Sequence, residues 1–161
     1  MMNERVTNAV TRCLEIDVDF YRELLVFLMK KHAKIMTDDL EWLTESLNKE
    51  QAYLMKSKSL EEKREELFRG LGLQGRKLTE LAEEAPEGYK AKMNLLINQL
   101  TELLENIKEI NAETNDIVKR KLDNQREFVK QAGILEKPET YDKSAAKVYG
   151  GVSSAQVIRQ I

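Results

Sequence analysis

Residues 93–118 read MNLLINQLTELLENIKEINAETNDIV, and this stretch decides the fold. Its apolar positions are Met93, Leu96, Leu100, Leu103, Ile107, Ile110 and Ile117, with Thr114 in phase between the last two. Steps of three and four place these side chains on one face of an α-helix. Phe128 continues the stripe after several polar positions. Neither glycine nor proline occurs from 89 to 132, so nothing in the local chemistry stops the helix. The spacing therefore predicts one long amphipathic helix over 89–132.

The same reading extends toward the N-terminus. Residues 1–69 lack glycine and proline, and Leu14, Val18, Tyr21, Leu25 and Leu28 repeat at helical spacing. The phase slips near Met36 and resumes at Leu40, Leu43, Leu47 and Leu54. Such a slip bends a helix or changes its winding. A second long helix is predicted over 4–69. Between the two, GLGLQG at 70–75 reads as a helix stop and turn, and a short helix is predicted over 76–85, closed by Pro86.

The predicted fold class is all-α: a long antiparallel helical hairpin of bundle or coiled-coil type, a short intervening helix and a flexible C-terminal tail. Residues 1–132 form the helical domain and 133–161 the tail. At about 1.5 Å per residue the second rod, folded back, covers the first only to about residue 26. The N-terminal stretch is left to bend back, pair with another chain or stay exposed.

Composition narrows the function. The 161 residues carry 26 Lys and Arg against 28 Asp and Glu, a net charge of −2. No basic excess exists to neutralise phosphates, so nucleic acid is not the expected partner. Cys13 is alone, which fits a reducing compartment and gives no CxxC or Cys–His pair. No apolar run suggests a signal core or a membrane span, and the chain is expected in the cytoplasm. His32, the one histidine, lies in apolar phase and reads as a packed side chain. An enzyme is not expected, and neither a cofactor nor a metal site is. Trp42 reads as half-buried at a helix seam, with a partner contact as the other reading. Asn111, Thr114 and Asn115 read as polar residues that fix register.

The tail LEKPETYDKSAAKVYGGVSSAQVIRQI, from residue 135, has too little apolar surface to build a core. It carries Tyr141, Tyr149, Val152, Val157, Ile158 and Ile161 as separated anchors, a pattern of segments that fold on binding. A frayed terminus is the competing reading. Composition and periodicity alone stop at a helical binding protein.

A resemblance carries the reading further. DDLEWLTESLNKEQAYLMKSKSLEEKREELFRGLGL, residues 38–73, resembles the first half of the FlgN family of flagellar export chaperones. The family pattern is an acidic residue before Leu-x-x-Leu-Thr, then Glu-Gln, then Leu-Glu-x-x-Arg. IKEINAETNDIVKRKLDNQREF at 107–128, followed by ETYD at 139–142, is similar to the family's second long helix and the tyrosine after it.

The resemblance implies a cytoplasmic type III export chaperone. Its partners would be the hook–filament junction proteins, hook-associated proteins 1 and 3 (FlgK and FlgL), kept unassembled and delivered to the export gate protein FlhA. It implies substrate contacts at Phe128, Val129, Ile134, Leu135, Val152, Val157, Ile158 and Ile161. It places gate docking on Tyr141, with Tyr149 as the fallback. A structural coiled-coil scaffold or adaptor remains the other function class, and a homodimer through the long helices remains open.

Overall fold

The computed structural model describes residues 1–133, and among them the regular structure is entirely helical. Five helices follow in order: α1 (Glu4–Met36), α2 (Leu40–Glu45), α3 (Leu47–Gly70), α4 (Leu78–Glu83) and α5 (Glu87–Gln131). Asn3 starts α1 by accepting a hydrogen bond from the Val6 N–H at 2.9 Å, which satisfies one of the free donors of the first turn. α5 starts on Pro86, whose fixed φ suits the entry to a helix.

The helix predicted over 4–69 is thus three helices. The chain breaks at Thr37–Asp39 without glycine or proline. Asp38 takes φ 54, a left-handed geometry that a short polar residue tolerates. Asp39 then caps α2, its carboxylate accepting from the Trp42 N–H at 3.1 Å. The break falls where the apolar phase slips. A straight rod would have pointed its two stripes in different directions, and the turn lets both face one core.

Helix directions follow from the paired residues. Lys31 meets Glu50 and Asp17 meets Arg64. Both pairs have residue numbers adding to 81, the constant sum of a straight antiparallel register. α3 therefore runs back along α1. Glu15 meets Lys92, His32 meets Thr114, and Asp38 meets Lys121. These numbers rise together, so α5 runs parallel to α1. The expected antiparallel arrangement of 89–132 against the first helix is therefore incorrect. The hairpin closes inside the first segment, and a second reversal through 71–86 brings α5 back in the direction of α1.

The core lies mainly along the α1–α5 seam. Val10, Leu14, Tyr21, Leu24 and Leu28 share one cluster with Met93, Leu96, Leu100, Leu104 and Ile107. Each such aliphatic side chain removed from water stabilises by about 1.5–3 kcal/mol. The centre of the α5 stripe is one residue off the expected line. Leu104 and Val118 are buried, while Leu103, Ile110 and Ile117 flank them half-buried. At the α4 end Leu73, Leu81, Ala82 and Ala85 close the core, and the Met2 N–H donates to the Glu84 carbonyl at 3.0 Å. At the opposite end Ile35, Leu43 and Val118 form a second, small cluster. The 70–75 turn uses Gly72 (φ 70) and Gly75 (φ 78), the left-handed positions that glycine fills without strain.

Candidate partner-binding surface

Two regions on this frame offer surface to a partner. The first is the far end of α5. α1 has 33 residues and α5 has 45. Running parallel from nearly the same level, α5 outlasts α1 by several turns. Its last core contacts are Val118 and the half-buried Ile117 and Leu122, beside the Asp38–Lys121 pair at 2.7 Å. From Asp123 onward the helix is almost entirely solvated. Phe128 stands on this projection 67% exposed, with Val129 half-buried next to it. An exposed phenylalanine costs the free protein solvation and gives a partner a large apolar contact. Charges around it balance locally: Asp123 with Arg126, then Glu127 and Lys130.

The structure thus places Phe128 and Val129 together at the tip of α5, where the chain passes into residues 133–161. Ile134, Leu135, Tyr141, Tyr149, Val152, Val157, Ile158 and Ile161 lie outside the described residues.

The second region is a groove of about 690 Å³ between α1 and the α2–α3 arm. Its floor is aromatic. Phe27 lies 5.9 Å from Trp42 and 5.0 Å from Tyr53 between ring centroids. Lys30 sits over Trp42, and Lys49 over Phe27 and Tyr53, at cation–π distances. The Tyr53 hydroxyl donates to Glu23 at 3.2 Å. Trp42 is half-buried against Phe27, the seam position read from the sequence. The convergence of Phe27 and Tyr53 on it was not readable, because 26 residues separate them and a turn brings them together.

The titratable groups inside the bundle are shifted by burial and by one another. Burial pushes the Cys13 thiol up to about 11, the Asp17 carboxylate adds to this, and Arg64 opposes it. Burial lowers Lys31, and its contact with Glu50 counteracts part of that. His32 is half-buried, its Nδ1 3.0 Å from the Thr114 hydroxyl oxygen. That hydroxyl donates to the Ile110 carbonyl at 2.7 Å, so both bonds form when Nδ1 carries the ring proton. Asn111 and Thr114 are buried in the seam and Asn115 is exposed. Among the described residues no three His, Cys, Asp or Glu side chains gather as a metal site, and no helix is long and apolar enough to cross a membrane.

A family model described as FlgN protein matches residues 1–148. The chain belongs to the FlgN family. A search of curated proteins and of solved structures returns no match. Membership makes this FlgN-family protein a flagellar export chaperone in the general sense. The match takes in all five helices and Tyr141. It ends before Tyr149, Val152, Val157, Ile158 and Ile161.

Proposed function

We propose that this FlgN-family protein is a cytoplasmic chaperone for the hook–filament junction proteins, hook-associated proteins 1 and 3 (FlgK and FlgL). It holds their assembly-prone ends and hands them to the export gate protein FlhA. The observation that carries the reading is the projection of α5 beyond α1, with Phe128 exposed on a helix that leads directly into residues 133–161. A binding element of this form is anchored by the bundle but not packed into it.

The segment 133–161 supplies the remaining anchors: Ile134, Leu135, Val152, Val157, Ile158 and Ile161 contact the substrate. Tyr141 docks on the gate. The family match supports Tyr141 over Tyr149, since it covers the first and stops short of the second. The deciding experiment is calorimetry of the full chain and of residues 1–132 against FlgK and FlgL. The full chain binds both, and the truncated chain loses most of that affinity while keeping its helical circular dichroism. Equal affinity of the two chains refutes the tail as the binding element.

A further inference from the structure

The two reversals of this chain are built differently. The 70–75 turn places glycine at its left-handed positions. The 37–46 turn contains neither glycine nor proline, and its left-handed residue is Asp38. An L-residue held there is disfavoured against right-handed helix by about five- to thirtyfold. Every residue of this turn is compatible with a helix, so nothing covalent fixes the reversal.

What the reversal brings together is buried and specific. α3 covers Phe20, Tyr21 and Phe27 of α1, and the pairs Lys31–Glu50 and Asp17–Arg64 fix its register. α5 then packs on the adjoining face of α1. None of these contacts depends on α1 and the arm 47–131 belonging to the same copy, because only residues 37–46 connect them. A second copy presents the identical surface, with the identical charges in register. If two copies exchange arms, all α1–α3 and α1–α5 contacts re-form between chains. The losses fall on residues 37–46: the Asp39 cap on Trp42, the Lys34–Asp39 and Asp38–Lys121 pairs, the Phe27–Trp42 contact and the packing of buried Leu43 on Ile35 and Val118; against them stands release of the left-handed geometry of Asp38. Short hinges under strain favour this kind of exchange.

We infer that residues 37–46 are an exchange hinge, and that a second copy of this chain occupies α1 in a dimer whose arms 47–131 are swapped. Closed monomer and swapped dimer share one interface, and Asp38 sets the balance between them. Asp38→Gly relieves the closed turn and favours the monomer. Asp38→Ala removes a residue that tolerates the left-handed region and favours opening.

The test uses the full chain refolded from denaturant at low and high concentration, with mass measured by light scattering. Spin labels are placed at Asp19 and Glu62, two exposed sites that lie level across the hairpin, on a Cys13→Ser background. At high concentration the wild type yields a two-chain species. Asp38→Gly lowers its fraction at least fivefold, and Asp38→Ala raises it at least fivefold. In the two-chain species the short 19–62 distance vanishes when labelled chains are refolded with excess unlabelled chain. In the monomer it persists. A two-chain species whose short distance survives dilution is an ordinary side-by-side dimer and overturns the inference. So does single-chain mass at every concentration for both the wild type and Asp38→Ala. Should Asp38→Ala fail to fold, the wild type and Asp38→Gly decide the matter by the same dilution and mass readings.

Discussion

Lys31 Nζ lies 3.2 Å from each carboxylate oxygen of Glu50, and the two side chains are only 3% and 1% exposed. The pair joins α1 to α3 close to the first turn. A buried pair of this kind owes little net stability to its own attraction, but removing one partner strands the other's charge. Lys31→Met or Glu50→Leu alone is expected to destabilise by about 3–5 kcal/mol, and the double variant by much less. Urea melts of the four proteins check this. A double variant as unstable as the sum of the singles shows that packing, not charge, holds this position.

The register of α5 is tested one residue at a time. Leu104 is 4% exposed and Leu103 half-buried. Leu104→Ala is expected to cost about 2–4 kcal/mol and Leu103→Ala less than half of that. Leu100→Asp, which buries an unpaired charge in the same seam, is expected to unfold the chain, while Lys108→Asp on the exposed face changes stability by under about 0.5 kcal/mol. Thermal melts in the reverse order disprove the seam.

The Cys13 thiol titrates near 11 because it is desolvated beside Asp17. At pH 8 only about one thiol in a thousand is then ionised, and alkylation by iodoacetamide is expected to be slower than for a free cysteine by roughly a hundredfold. The sign for stability follows from proton binding. The folded state keeps the proton above the unfolded value near 9, so the contribution of Cys13 is complete below pH 9 and is lost as pH rises toward 11. Cys13→Ser removes that slope from melts run between pH 8 and 11.

At the tip of α5, Phe128→Ala is expected to leave the melting temperature within about 2 °C of the wild type, since the ring touches little of the core. It is expected to weaken binding of FlgK and FlgL by about 2 kcal/mol, or roughly thirtyfold. A large loss of stability in this variant places Phe128 in the fold instead.

Tyr141→Ala separates holding from delivery. Capture of the junction proteins is expected to change by less than about fivefold, whereas binding of the loaded chaperone to FlhA falls by roughly thirtyfold. Tyr149→Ala is the control. If Tyr149→Ala alone disrupts gate binding, the docking residue has been misassigned.

The helical class, the extent of α5, the glycine turn at 70–75 and the half-burial of Trp42 all follow from local rules. Side chains three and four residues apart share a face, and glycine and proline stop helices, whatever lies elsewhere in the chain. These features were legible for that reason, and so were the quoted runs that resemble the FlgN family. The exposed end of α5 was only partly legible. Phe128 sits in phase with the stripe, and nothing in periodicity reveals that α1 has ended before it.

Tertiary structure decided the rest. Whether residues 4–69 run straight or turn at Asp38 depends on contacts between distant residues: Tyr53 on Phe20 and Phe27, Leu43 on Ile35, and the pairs Lys31–Glu50 and Asp17–Arg64, separated by 19 and 47 residues, which no local spacing announces. Once that turn forms, α3 occupies the antiparallel place beside α1, and α5 packs parallel to it. A heptad stripe has the same appearance read in either direction, so amphipathicity fixes which face is buried but not which way the neighbouring helix runs. That choice belongs to the packing and charge pairing across the first turn and to the reach of the connection at 71–86, and both exist only in three dimensions.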